Sequence, residues 1–308
     1  MRRFGYSDSL ATGAIAAGGT LGILIPPSVV LIIFGLLTES DIGKLFLAGI
    51  IPGILGIVGY LVAVMVAVRL KPDLAPQVGE PQPLSRKDAA SVLAVLALFV
   101  FIMGGIYGGF FTPIEAAGMG AGAALVIAFA TGGLSRGGLW QAFLDSAVAS
   151  AMIFAIIIGA EIFGNFINFA GLPYALSELV SDLGLSPWLV LLTIVLIYMV
   201  LGCVLESLSM ILLTVPVFYP LVMDLDFGFA ILQDPDMVLA WFAIIVVVVT
   251  EISLITPPIG MNVFVLRSVL PDVPLKTIFR GVYVFWASDI IRLALIVAVP
   301  WLSLALLR

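Results

Sequence analysis

The sequence predicts an all-α polytopic membrane protein, built on an inverted repeat of broken helices with a re-entrant hairpin in its second half. Three observations carry that prediction. The 308-residue chain is 62% hydrophobic and only 10% charged, against about 25% charged in a soluble domain. Apolar runs at or above the ~18 residues of a membrane span recur along its length. Two of these runs contain adjacent prolines, Pro26–Pro27 and Pro257–Pro258, and a third, 187–222, is too long for one ordinary span.

Composition also excludes function classes. No basic cluster exceeds two adjacent residues, so no nucleic-acid partner is expected. Cys203 is the sole cysteine and permits neither an internal disulfide nor a thiolate metal site. The chain has no histidine, which removes His-based proton relays, His triads and most zinc sites. An intramembrane enzyme is a weak rival, because no GxGD aspartyl pair or GxSG nucleophile occurs. The start, MRRFGYSDSLATGAIAAGG, lacks a compact apolar core with a cleavage site and is not read as a signal peptide.

In chain order the apolar segments are 10–37, 45–69, 89–110, 115–133, 141–169, 187–222, 237–270 and 281–306. The Lys/Arg bias orients them. Arg2, Arg3, Arg69, Lys71, Arg86, Lys87, Arg136, Arg267, Lys276 and Arg280 share one side if 10–37 crosses once, 45–69 returns and 187–222 does not cross. The loops flanking 187–222, GLPYALSELVSDLGLSP and MDLDFGFAILQDPDM, are acidic and free of Lys and Arg, so both belong outside. The segment therefore enters from outside, turns near Gly202–Ser209 and leaves outside; two very short full spans are the alternative.

ILIPPSVVLIIFGLLTESD (23–41) aligns with LITPPIGMNVFVLRSVLPD (254–272), and thirteen residues separate the second proline from the aspartate in each. By the charge count the copies run in opposite directions, as in secondary transporters with inverted repeats and broken helices. A proline inside a helix removes a backbone hydrogen bond. At membrane depth the freed groups are tolerated where protein buries them or a cavity receives them. Carbonyls and half-helix C-termini suit a hard cation such as sodium. The candidate carbonyls are those of Gly22, Ile25 and Pro26 in the first copy, and of Ser253, Thr256 and Ile259 in the second, where Thr256 adds a hydroxyl. The alternative is a pair of packing kinks without a ligand.

Six stretches, RRFGYSDSLATGAIAAGGTLGILIPPS, KLFLAGIIPGIL, GIYGGFFTPIEAAGMGA, SAMIFAIIIGAEIFGNFINFAGLP, LGCVLESLSMILLTVPVFYPL and WFAIIVVVVTEISLITPPIGMNVFVL, span nearly the whole chain. They resemble the large membrane subunit (DctM/SiaM-like) of the tripartite ATP-independent periplasmic (TRAP) transporters, within the wider ion-transporter superfamily. The resemblance implies a sodium-coupled importer of organic acids such as C4-dicarboxylates or sialic acid, working as an elevator in the inner (cytoplasmic) membrane of a bacterial or archaeal cell. It implies a small four-helix membrane subunit and a periplasmic substrate-binding protein as partners, and no cofactor beyond the coupling sodium ions. Gly202 matches the family's ion-site glycine region on the hairpin. Ser253 stands where glycine is expected, which puts close backbone approach in doubt. Family members carry further scaffold helices and a first hairpin ahead of the position of Met1. The expectation is therefore an N-terminally truncated chain (a fragment, a chain with a misassigned start, or one whose remainder a separate polypeptide supplies) that does not transport by itself. The rivals are a carrier of the superfamily that needs no binding protein, and a non-transporting membrane fragment.

The implied division places 1–40 (first broken helix) and 187–270 (hairpin and second broken helix) in a transport domain. Residues 41–186, with a cytoplasmic Pro-rich loop at 70–88, and the C-terminal helix in 271–308 go to a scaffold. Glu206, Ser207 and Ser209 fall at the hairpin tip, as ion or substrate contacts or as a hydrated turn. Asn262 follows the second break, as a substrate contact or a cap for freed backbone. Glu251, one turn before Thr256, either shapes the break electrostatically or meets a partner. Asp289 and Arg292, three apart, share a helix face and pair with one another; the sharper alternative is Arg292 as ligand to a substrate carboxylate. Glu161, Asn165 and Asn168 form a polar stripe expected to face protein, and Glu115 a favourable charge at a helix start. No arginine lies at either break or in the hairpin, so the substrate is not legible.

Overall fold

The computed structural model describes residue 1, residues 4–76 and residues 86–307. Arg2, Arg3, residues 77–85, Arg308 and the side chains of Arg86, Lys87 and Asp88 lie outside the described residues, and the parts of the charge tally and of the expected 70–88 loop that rest on them lie outside as well. The described residues form helices and no strand. In chain order these are α1 (Asp8–Leu21), α2 (Val29–Leu37), α3 (Ile42–Leu70), α4 (Arg86–Tyr107), α5 (Pro113–Ala130), α6 (Arg136–Phe169), α7 (Leu172–Asp182), α8 (Pro187–Gly202), α9 (Ser207–Met223), α10 (Pro235–Ser253), α11 (Met261–Val269), α12 (Leu275–Ala298) and α13 (Trp301–Leu304). Six are long and apolar enough to cross a membrane: α3, α4 from Ala89 onward, α5, α6, α10 and α12.

The chain divides into two compact units, Met1–Gln77 with Ala160–Arg308, and Val78–Gly159. In the second, α4 and α5 pack with Ile102 over Gly120. Thr112 and Glu115 form a reciprocal capping box at the start of α5, Thr112 N donating to Glu115 Oε2 (2.8 Å) and Glu115 N to Thr112 Oγ1 (3.3 Å). Glu115 is thus a helix-start residue, as its position after Pro113 predicts.

The first unit holds both copies of the repeat. Each is a helix, a Pro-Pro break, a nine-residue helix and a long helix: α1–α2–α3 and α10–α11–α12. Both Pro-Pro bonds are cis. The copies run in opposite directions. The start of α1 meets the end of α3, where Ser7 N donates to Leu74 O (3.0 Å). The start of α10 meets the start of α3, where Lys44 Nζ lies 2.8 Å from Asp236 Oδ2. One end of the unit thus gathers Lys71 and Arg280 beside Ser9. The other gathers Lys44 with the acidic loop before α10. That is the grouping the charge bias implies.

The segment 187–222 folds as the hairpin α8–α9, turning at Cys203–Glu206. Both of its ends lie beside the start of α10: Trp188 packs on Phe227 (5.4 Å between ring centres) and on Trp241 (6.4 Å). The acidic segment before the hairpin, expected to be a loop, is mostly the helix α7, started by the left-handed Gly171 and Pro173, and its Ser177 Oγ donates to Asp224 Oδ2 (3.2 Å) in the acidic segment after the hairpin. Its tip reaches the second break and goes no further, while α11 continues for about 13 Å beyond. The core is α10, apolar all round and buried without interruption from Val238 to Ser253, as a helix enclosed by others must be.

α12 and α3 both pack on the broken helices. α12, assigned to a scaffold, touches α1 backbone to backbone. A Cβ on Gly13 would lie 2.9 Å from Gly281 Cα, and one on Gly281 would overlap Ser9 O and lie 2.7 Å from its carbonyl carbon. α3, also assigned to a scaffold, packs on α12, α10 and α2. Both belong to the compact unit that carries the breaks.

The polar stripe of α6 is a second difference. Glu161, Asn165 and Asn168 are exposed, and the buried stripe is Ala160, Gly164 and Ile167, one residue out of phase. Small residues allow close approach, with Gly164 against Pro216. Asn165 spends its amide on its own helix, donating to Glu161 O (2.9 Å).

Candidate functional site

At the first break α1 unwinds after Leu21. Ile23 N and Leu24 N turn back onto Thr20 O (2.9 Å) and Leu21 O (3.3 Å). Ser28 caps α2 through Leu31 N (3.2 Å), and its hydroxyl donates to Ile23 O. Among the described residues no hydrogen bond ends on the carbonyls of Gly22, Ile25 or Pro26. α3 backs this segment with glycines: a Cβ on Gly49 would lie 3.1 Å from Leu24 O, and one on Gly53 3.3 Å from Ile25 Cγ1.

At the second break Ser253 O accepts from Thr256 N (3.2 Å), and Asn262 N donates across the break to Leu254 O (3.1 Å). Gly260 turns the chain into α11 at φ +58°. Of the three candidate carbonyls here, that of Ile259 accepts no hydrogen bond among the described residues, and that of Thr256 faces only Cys203 Sγ, at 3.7 Å. The Thr256 hydroxyl is less free than the sequence suggests. It donates to Ile252 O (2.6 Å) and accepts from Trp286 Nε1 (2.9 Å), so one lone pair remains. Asn262 caps freed backbone through its main chain and not through its side chain.

The hairpin tip closes on this break. A Cβ on Gly202 would overlap Ser253 Oγ, and would lie 2.5 Å from Ser253 Cβ and 3.1 Å from Met210 Sδ. Gly202 therefore makes the room that Ser253 takes, and the tip reaches the break although Ser253 is not glycine. Ser253 Oγ donates to Thr250 O (2.7 Å) and is fully buried. Glu206, Ser207 and Ser209 belong together at the tip: the Glu206 carboxylate caps α9 through Leu208 N (3.1 Å) and Ser209 N (3.3 Å) and accepts from Ser207 Oγ (2.9 Å).

Electrostatics favour a cation here. α8 and α10 end against each other, and α1 ends at the first break; each C-terminus carries about half a negative charge. None of the three has a basic residue in its last turn. α11 ends away from the breaks and is neutralised, Arg267 Nη1 donating to Val273 O (2.6 Å) and Pro271 O.

A buried charge cluster, only partly legible in the sequence, lies between the breaks. Arg292 pairs with Asp289 (3.0 Å), as the i,i+3 spacing predicts, and also donates to Glu251 Oε2. Tyr60 donates to Asp289 Oδ2 (2.6 Å), and Leu24 N to Glu251 Oε1 (3.1 Å). Arg292 is 3% exposed, and Glu251 and Asp289 are fully buried. The guanidinium lies over Gly56, where a Cβ would overlap Nη1. Arg292 is thus engaged with its own chain, not set out for a substrate. The contact from Arg292 to Glu251 joins residues 41 apart, for which the sequence holds no periodic signal.

Two antiparallel broken helices, a hairpin tip against one of them and carbonyl ends left without basic caps belong to a membrane permease. The whole-chain comparison is more specific: residues 1–302 match the family described as the tripartite ATP-independent periplasmic transporter, DctM component, and the chain belongs to that family. It is 35% identical over 308 residues to the C4-dicarboxylate TRAP transporter large permease protein DctM of Pseudomonas aeruginosa, covering 99% of this chain and 69% of that one. It is 32% identical over 310 residues to the sialic acid TRAP transporter large permease protein SiaM of Vibrio cholerae, with 99% and 69% covered. It is 31% identical over 267 residues to the isethionate TRAP transporter permease protein DctMQ of Oleidesulfovibrio alaskensis, with 86% and 40% covered. The protein is a multi-pass membrane permease component, not an enzyme.

Proposed function

We propose that the chain is the permease subunit of a sodium-coupled importer of organic acids in the inner (cytoplasmic) membrane, fed by a periplasmic binding protein and assembled with a small membrane subunit. The observation that carries the proposal is the meeting of two helix C-termini with no basic residue in their last turns, those of α8 and α10, beside the Ile259 carbonyl, which accepts no hydrogen bond among the described residues. Carbonyl oxygens in that field suit Na⁺. The first break offers Gly22, Ile25 and Pro26 in the same role. The substrate's carboxylate would meet the start of α11, whose N-cap, Gly260, supplies no side-chain cap, with Asn262, Ser207 and Ser209 nearby in sequence to the two half-helix starts. The named substrates of relatives, C4-dicarboxylate and sialic acid, support a carboxylated class.

In an elevator the unit that carries the sites moves as a body. The backbone contact of Gly13 with Gly281 would not survive sliding of α12 past α1, so we place α3 and α12 with the moving part. The test is uptake of labelled C4-dicarboxylate or sialic acid into proteoliposomes holding the permease as its genome encodes it, together with any segment or chain that supplies the first hairpin, its small subunit and its binding protein. Uptake is expected only with an inward Na⁺ gradient. Uptake that persists in Na⁺-free buffer, driven by a proton gradient, would refute the sodium reading.

A further inference from the structure

Glu251 touches the first break and sits two residues before Ser253, the last residue of α10 in the other repeat. Its Oε1 accepts from Leu24 N (3.1 Å), one residue from Ile25 and two from Pro26. On its own helix Ser253 follows, against Gly202 of the hairpin. Arg292 holds the second oxygen, Asp289 holds Arg292 (3.0 Å), and Tyr60 holds Asp289 (2.6 Å). A buried ion pair adds little net stability over well-packed apolar residues, so stability alone gives no reason for a carboxylate at this depth. Its geometry gives one, because both of its oxygens are spent on parts of the protein that must stay in register.

We infer that Glu251 is a positioning residue that couples the two breaks, so that a displacement of the Leu24 peptide is transmitted to the end of α10 and to the cation site there. The inference rests on the proposed cation role of the second break. Any such coupling is reciprocal, so it is readable from either side.

Gly49 offers a perturbation at the first break and the α2 helix that follows it. Gly49→Ala sets a methyl 3.1 Å from Leu24 O, 3.4 Å from Leu31 Cδ1 and 3.7 Å from Pro26 Cγ. Trp286 offers a reporter at the second, since its Nε1 donates to Thr256 Oγ1 (2.9 Å). The full chain is placed in lipid nanodiscs and titrated with Na⁺, and the Trp286 fluorescence is taken as the difference from Trp286→Phe. In the otherwise unchanged chain, G49A is expected to shift the Na⁺ midpoint about fivefold or more, the lower end of typical allosteric coupling. In Glu251→Gln the same G49A shift is expected to fall below about twofold, as for uncoupled sites in a double-mutant cycle. Glu251→Asp keeps the charge but is one methylene too short to hold both partners. It should uncouple like E251Q, and it carries the test if E251Q does not fold.

An equal G49A shift in all three backgrounds would overturn the role of Glu251, as would no G49A shift in the first. Absence of any Na⁺-dependent Trp286 signal would overturn the cation reading of the second break, and the coupling with it. The two failures are therefore told apart by the titration without G49A.

Discussion

Gly202→Ala is the sharpest perturbation of the candidate site. Gly202 has an ordinary helical backbone, so alanine adds no backbone strain; the whole effect is steric. The new methyl would overlap Ser253 Oγ, lie 2.5 Å from Ser253 Cβ and press on Met210 Sδ at 3.1 Å. Ser253 is fully buried and its hydroxyl is bonded to Thr250 O at 2.7 Å, so it has no free direction to move in. Overpacking of this kind costs about 1–3 kcal/mol. The cheapest relief is withdrawal of the hairpin tip from the break, which takes the α8 C-terminus away from the proposed cation site. If the cost falls on the occupied state, Na⁺ affinity drops by roughly 5- to 150-fold. Na⁺ titration of the purified protein by calorimetry measures it. Adding Ser253→Gly removes both clashing atoms, and Thr250 O keeps a donor in Leu254 N (3.2 Å). The double variant should therefore recover most of the lost affinity, less about 0.5–1 kcal/mol for a glycine at a helix end. Unchanged affinity in G202A, or no recovery in G202A/S253G, would refute the claim that this contact seats the tip.

Three further outcomes follow from the same geometry. Arg292→Met leaves Glu251 and Asp289 buried without their cation and should destabilise by roughly 3–5 kcal/mol, whereas E251Q/R292M should lose less; thermal unfolding in detergent compares them, and a double variant worse than R292M would contradict the pairing. Gly281→Ala drives a methyl into the Ser9 carbonyl, which as backbone cannot rotate away, and should lower folded yield on size exclusion at a cost of about 3 kcal/mol. Cysteines placed at Lys44, Ser177 and Asp224 should react with a membrane-impermeant maleimide from one side, and a cysteine at Arg280 from the other; labelling of Ser177→Cys and Asp224→Cys from opposite sides would rule out the re-entrant hairpin.

Much of this organisation is legible in residue order, because the relevant signals are local. Two Pro-Pro pairs inside apolar runs state where helices break, since proline lacks the amide and fixes its own backbone. The acidic, Lys-free loops around 187–222 state that the segment returns to the side it came from. Ser28, Asp41, Thr112 and Ser186 mark helix starts by the same local logic of a side-chain acceptor for orphan amides. The exposed stripe of α6 shows the limit: polar residues at helical spacing define a face, but which face is buried depends on the neighbour, here one that needs Ala160 and Gly164 for close approach.

The sequence by itself determined the long apolar helices, their breaks, the antiparallel sense of the two copies and the carbonyls the prolines can free, though not the helix α7, because all of these follow from backbone chemistry and charge within a few residues. Only the tertiary structure decided which of those carbonyls are already used, that Gly202 yields space to Ser253, that Tyr60 of α3 meets Asp289 of α12, and that Glu251 reaches Leu24 and Arg292. Those contacts include residues 227 and 229 apart. They depend on side-chain size and direction where helices cross, and no local pattern records them.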